Sequence, residues 1–211
     1  MSLMTLLEVL ETIRVKPHAF LTSRRLRSLA TFLAGRDLAL SHFGADEWGD
    51  VPIVARVERH FGASTMPWRN WIDIVEAFAA DEWDAFDRFL ALAATWNDTT
   101  PRQPSALAEP PPMSAVLEEI AARPATHLGD KSVFALADFL RGYCHTIECG
   151  TPHGADLTRE LVRFCGRVSL SDERGLVWFK VLRFAAYSDE AAFDDFFARW
   201  RGEDGSIDIV I

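Results

Sequence analysis

Apolar residues recur along this chain at intervals of three and four, the spacing that places them on one face of an α-helix. Leu6, Leu10 and Ile13 form the first such stripe, over Leu6 to Val15. Pro17 ends it, because the residue before a proline is pushed out of helical geometry. A second helix carries Leu26, Leu29, Phe32 and Leu33, with Ser23 as its expected N-cap. A loop with Gly44, Gly49 and Pro52 leads to a third, bearing Val54, Val57 and Phe61. The fourth is expected to open near Pro67 and to bury Trp71, Val75 and Phe78. The fifth follows Asp81 and Glu82, acids suited to the positive end of a helix dipole, and runs through Phe86, Phe89, Leu90 and Ala93.

The pattern then returns. At a shift of 107 positions, Val9-Leu10-Glu11-x-Ile13 falls on Val116-Leu117-Glu118-x-Ile120, Pro17 on Pro124, Phe32-Leu33 on Phe139-Leu140 and Gly35 on Gly142. Further on, Trp71 meets Trp178, and Ala85-Phe86-Asp87-x-Phe89-x-Ala91 meets Ala192-Phe193-Asp194-x-Phe196-x-Ala198. Twenty identities fall within about 90 positions, where composition alone would give roughly six. In the second copy Asp130 is the expected cap of the central helix, Leu161, Phe164 and Val168 mark the third, and Ser171 with Asp172 and Glu173 opens the fourth. Its fifth helix follows Ser188, Asp189 and Glu190.

The expected fold is therefore all-α, with two tandem pseudo-symmetric repeats of about five helices each, over residues 1–96 and 113–211. Residues 97–112 hold five of the ten prolines and form the expected linker. The tail Ile207-Asp208-Ile209-Val210-Ile211 alternates and is β-prone, suited to a short strand or to docking in a groove. Gly35 and Gly142 fall inside the central helices, where glycine costs about 1 kcal/mol relative to alanine. Two explanations fit: the central helices cross there at close range, or a helix ends there.

Composition narrows the function. The 49% hydrophobic content supports a packed core, no apolar run approaches a membrane span, and the N-terminus lacks a signal-peptide pattern, so a cytoplasmic protein is expected. Three cysteines, Cys144, Cys149 and Cys165, are too few and uneven for a disulfide scaffold. A net charge of −9 opposes nucleic-acid binding; it would speed encounter with a basic protein, although solubility alone accounts for it more simply.

Enzyme signatures are weak. No Gly-x-Ser-x-Gly elbow and no Gly-rich phosphate loop occurs, and Cys144 beside His145 is adjacency without a shared reacting atom. Cys144, His145, Cys149 and His153 are ligand types suited to zinc, but their spacing lacks a paired arrangement, and Asp37, Leu38, His42 and Asp46 occupy the aligned positions. Acids cluster at Asp81, Glu82, Asp84 and Asp87, and at Asp189, Glu190, Asp194 and Asp195. Such groups can perform acid-base chemistry or hold a metal; helix N-termini account for them more simply. Arg24, Arg25 and Arg27 form the one compact basic cluster. The loop with Asp46, Glu47, Trp48 and Asp50 places an aromatic among acids, the composition of a protein-contact patch, although Trp48 tucked onto its own core is the simpler reading. No catalytic, metal or cofactor residue is assigned.

One stretch carries a family resemblance. Leu117-Glu118-Glu119-Ile120, Arg123-Pro124, Leu128-Gly129-Asp130-Lys131-Ser132, Leu136 and Phe139-Leu140-Arg141-Gly142-Tyr143 resemble the opening of small bacterial helical proteins that look like immunity proteins for contact-dependent or Rhs-type polymorphic toxins. The likeness covers about 30 residues of each copy and is looser in the first, where Thr22 replaces the glycine and Arg36 the tyrosine. It implies a neutraliser that binds a toxin domain and leaves the binding residues unassigned; the favoured reading is a non-enzymatic protein-binding module that occludes the toxin's active site. A small-molecule-binding helical regulator, with an apolar pocket between the copies, and a hydrolase with polar groups converging in a cleft are the alternatives.

Overall fold

The computed structural model describes residues 3–45, 52–63, 70–96, 109–151, 154–169 and 178–202. These form twelve helices: α1 (Leu6–Val15), α2 (Pro17–Phe20), α3 (Leu26–His42), α4 (Ile53–Phe61), α5 (Trp71–Ala77), α6 (Glu82–Ala93), α7 (Met113–Ala122), α8 (Pro124–Leu128), α9 (Val133–Gly150), α10 (Gly154–Ser169), α11 (Trp178–Ala185) and α12 (Asp189–Arg201). No strand occurs among the described residues, and the β-prone tail at 207–211 lies outside them. So do most of the proline-rich segment, Pro67, His153 and Ser171.

Five helix starts recur at the sequence shift: Leu6 and Met113, Pro17 and Pro124, Leu26 and Val133, Trp71 and Trp178, Glu82 and Asp189 are each 107 positions apart. The chain divides into two compact units. Unit 1 is Met1–Pro110 together with Asp138–Gly154, and unit 2 is Pro111–Ala137 together with Ala155–Ile211. Helix α9 therefore begins in unit 2 and ends in unit 1.

Local chemistry explains most helix ends. A capping box opens α1: Thr5 Oγ1 accepts from the Glu8 N–H at 3.3 Å, while the Glu8 carboxylate accepts from the Thr5 N–H at 2.7 Å. Asp81 caps α6 by accepting from the Trp83 and Asp84 N–H groups, and Ser188 caps α12 by accepting from the Ala191 N–H. Pro17 and Pro124 do more than stop α1 and α7. Each occupies the first turn of a short helix, α2 or α8, where its fixed φ is suitable and its missing N–H is not needed.

Two expected caps are not used. Helix α3 starts at Leu26 behind Arg25, with no side-chain cap, and the Ser23 hydroxyl instead lies 2.8 Å from that of Ser28. Helix α9 starts at Val133, and Asp130 stands too far ahead of it. Ser132 Oγ takes the Ala135 N–H at 3.1 Å and Asp189 Oδ1 takes the Val133 N–H at 3.0 Å, so the next serine and an acid distant in sequence supply what Asp130 was expected to give. Gly150 is the last residue of α9 and Gly154 the first of α10, so residues 151–153 alone join the two helices. Asn70 caps α5, accepting from the Asp73 N–H at 2.9 Å.

The core of unit 1 is built from the apolar stripes of its helices. Leu6, Leu10 and Ile13 of α1, Leu29, Phe32 and Leu33 of α3, Val57 of α4, Val75 of α5, and Phe86 and Phe89 of α6 belong to one buried cluster. In unit 2, Trp178 lies 4.8 Å from Phe196, and Phe164 lies 5.4 Å from Phe196, ring centre to ring centre. Such aromatic pairs bury large areas and add directional contact energy.

Within unit 1, α3 and the later part of α9 cross at Gly35 and Gly142. A Cβ on Gly35 would sit 2.0 Å from the Phe139 carbonyl oxygen, and one on Gly142 would sit 1.9 Å from that of Phe32. Neither glycine ends a helix, since α3 continues to His42 and α9 to Gly150. Close backbone contact, which any side chain would block, offsets glycine's poor helix propensity.

Candidate functional site

The acidic loop residues Asp46, Glu47, Trp48 and Asp50 lie outside the described residues. The same tetrapeptide, Ala-Asp-Glu-Trp, occurs again as Ala80-Asp81-Glu82-Trp83, and there its geometry is defined. Helix α5 ends at Ala77, the chain turns through Phe78 to Asp81, and α6 begins at Glu82. Asp81 binds the first amides of α6, while Asp84 Oδ2 reaches back to the Ala80 N–H at 2.8 Å and accepts from Arg88 Nε at 2.7 Å. This fixed corner holds Trp83 65% exposed, with Asp81 and Glu82 exposed beside it. Phe78, expected in the core stripe, is also largely exposed; it stacks on Phe61 at 4.9 Å, because it follows the last turn of α5 and no longer shares the buried face.

Unit 2 has a comparable corner between α11 and α12. Phe184 and Tyr187 are each 94% exposed. The turn is held by the Ala186 N–H on the Leu182 carbonyl at 3.0 Å, by Arg183 Nη1 on the Ala186 carbonyl at 3.1 Å, and by the Ser188 cap. Leaving two such rings in water forfeits roughly 2 kcal/mol each that burial would have contributed. Asp189 and Glu190 follow directly, so this corner too sets aromatics beside acids.

Elsewhere among the described residues, acids of both units pair with nearby bases. Arg24 lies 2.6 Å from Asp87, Arg25 2.8 Å from Glu82, and Arg27 2.7 Å from Glu76 and 3.3 Å from Asp73. The basic cluster is thus spent on the neighbouring helices of its own unit. In unit 2, Lys131 lies 3.0 Å from Asp194 and 3.7 Å from Glu190. All are exposed pairs with modest energies. Among the described residues no group of three or more His, Cys, Asp or Glu is placed to hold a metal.

Unit 1 also buries polar groups around the α3–α9 crossing. Asp138 Oδ1 accepts from the Thr22 N–H at 2.6 Å and Oδ2 from the Thr22 hydroxyl at 2.7 Å, and an Arg141 nitrogen is 4.0 Å away. Burial pushes the Asp138 pKa up to about 6, against the pull of its hydrogen bonds with Thr22 and Ser28. His42 Nδ1 lies 3.2 Å from the Tyr143 hydroxyl. His145 packs edge-on against Phe20 at 5.5 Å, and burial, assisted by the charge of Arg36, lowers its pKa and favours the neutral ring. Its Nε2 is 4.0 Å from Cys149 Sγ. Burial raises the Cys149 thiol and pushes Cys165 to about 12, the reverse of what an activated nucleophile needs.

A groove of about 770 Å³ runs between α1 and α6 of unit 1. Leu7, Leu10, Leu90, Ala91 and Ala94 give it an apolar floor, and its rim carries Glu11 with Arg14 and Arg24 with Asp87. Unlike the pocket expected of a small-molecule regulator, it lies within a single unit. No helix among the described residues is long and apolar enough to cross a membrane. No protein-family profile, curated protein or solved structure matches this chain.

Proposed function

We propose that this chain is a non-enzymatic protein-binding module that neutralises a bacterial toxin domain by occluding its active site. The observation that carries the reading is the exposure of Phe184 and Tyr187 at a braced corner beside Asp189 and Glu190, with Trp83 set similarly beside Asp81 and Glu82. Rigid aromatics are the side chains that most often dominate binding energy at protein interfaces. Surrounding acids and the net charge of −9 speed association with a basic surface. The resemblance at Leu117 to Tyr143 supplies the toxin as the partner class.

The scaffold for this role is two tandem pseudo-symmetric repeats. Support comes from the recurring helix starts and from the reciprocal contacts of Gly35 with Phe139 and Gly142 with Phe32, in which each residue is replaced by its counterpart 107 positions away. A duplicated scaffold presents related aromatic corners twice on one chain.

Rescue is the decisive experiment. Co-expression with a toxin encoded directly upstream of this gene should restore growth, and the F184A/Y187A/W83A variant should lose rescue while keeping the wild-type thermal midpoint. If the wild type neither rescues nor forms a complex, the proposal fails.

A further inference from the structure

The corner between α11 and α12 carries bare apolar surface, and the chain beyond α12 has the length and composition to cover it. Phe184 and Tyr187 are each 94% exposed. Lys180 lies four residues before Phe184 on α11, the spacing that puts both on one face, and it is exposed with no ion pair among the described residues. The acids of the corner are already engaged. Asp189 accepts from the Val133 N–H at 3.0 Å, and Glu190 lies 3.7 Å from Lys131. What the corner offers is therefore two uncovered rings beside one base without a carboxylate.

Helix α12 begins at this corner and is 13 residues long, about 20 Å from end to end. It closes at Gly202, whose φ of 72° takes the chain off the helix axis while its N–H meets the Ala198 and Arg199 carbonyls. Residues 203–211 follow, and at about 3.3 Å per extended residue Ile207 to Ile209 can lie about 17 to 23 Å from Gly202, the distance back to the corner. Extended backbone sets alternate side chains on opposite faces, so Ile207, Ile209 and Ile211 form one apolar edge and Asp208 stands on the other. A long lysine side chain can reach around such a segment to the acid.

We infer that the C-terminal segment 207–211 folds back along α12 and covers Phe184 and Tyr187, with Asp208 pairing with Lys180, so that a protein partner must displace it to reach the corner. The isoleucine edge supplies the apolar cover and the charge pair fixes its place. The contact itself needs no partner; its regulatory meaning rests on the protein-binding reading.

The chain has two tyrosines, and Tyr143 is 1% exposed, so tyrosine accessibility in the full-length protein reads Tyr187. Mild nitration, located by mass spectrometry, should modify Tyr187 several-fold more slowly than a free tyrosine amide. I207D/I209D/I211D should bring the rate up to that of the amide. K180E should raise it part of the way, and K180E/D208K, which reverses the pair, should restore protection even if the triple variant folds poorly.

A wild-type Tyr187 that reacts like the free amide overturns the inference, as does a rate indifferent to both the triple variant and K180E. Protection that is lost on dilution would place a second copy of the chain on the corner and overturns it equally. Toxin rescue is read separately: a covered Tyr187 without rescue removes the neutralising role alone, and rescue with an uncovered Tyr187 removes the tail contact alone. If both hold, the triple variant should bind the toxin several-fold more tightly than the wild type.

Discussion

Gly35 is pressed against the backbone of Phe139 so closely that an alanine methyl would lie 2.0 Å from its carbonyl oxygen. The obstacle is backbone, with no flexible side-chain end that could move aside. Helix propensity alone would make G35A stabilising by about 1 kcal/mol. Forcing the helices apart costs more, so G35A and G142A should each destabilise by about 3 kcal/mol or more in urea unfolding. G62A is the control: Gly62 has φ +65° and open space around its Cβ position, so only the backbone cost of about 1 kcal/mol is expected. Equal losses at all three positions would exclude close helix contact as the cause.

The Arg201–Glu118 pair bridges α12 and α7, and its hydrogen bonds hold Glu118 below the usual carboxylate range. Both side chains are partly solvated, so screening limits the gain. R201A should cost about 1 kcal/mol, part of it from the arginine stem lost over Phe197. A double-mutant cycle with E118A should return about 0.5 kcal/mol, shrinking in 1 M salt. Coupling that persists in high salt would point to packing rather than charge.

Asp138 makes stability depend on pH in the direction opposite to an ordinary salt bridge. Its folded pKa of about 6 lies above the ordinary aspartate value of 3.8, so between these values the folded chain holds a proton that the unfolded chain has released. The contribution is fully present below about pH 4, falls as pH rises, and is gone above about pH 6, a change on the order of 3 kcal/mol. D138N cannot ionise, so its stability relative to wild type should rise between pH 4 and pH 7. A difference that stays flat across that window would show that Asp138 does not titrate there.

The sequence was most informative where apolar periodicity and prolines act together. Leu6, Leu10 and Ile13 mark the buried face of α1 and Pro17 its end, and the acids at Asp81 and Asp189 mark the starts of α6 and α12. It was least informative where tertiary partners decide. Nothing near Val133 indicates that Asp189, more than fifty residues later, satisfies its amide, and Ser23 looks like a cap until Ser28 is seen beside its hydroxyl. In the candidate surface, Ala-Asp-Glu-Trp has the composition of a contact patch at Trp48, which lies outside the described residues, while at Trp83 the same letters also spell a helix start. Phe184 and Tyr187 gave no such sign, because an aromatic at the end of an amphipathic helix has the same pattern whether its ring turns inward or outward.

Helix α9 has a consequence for how the gene can be cut. Its residues from Asp138 onward complete the unit that begins at the N-terminus, so a fragment 1–110 leaves Phe32 and Gly35 without the backbone they pack on. Such a fragment should show reduced helicity by circular dichroism and bind a hydrophobic dye, and adding the separate 111–211 fragment should restore signal if both chains find each other. A native-like, dye-negative 1–110 would contradict this. A unit assembled from two stretches so far apart along the chain ties its inheritance to both: residues 138–154 must travel with 1–110 if that core is to close.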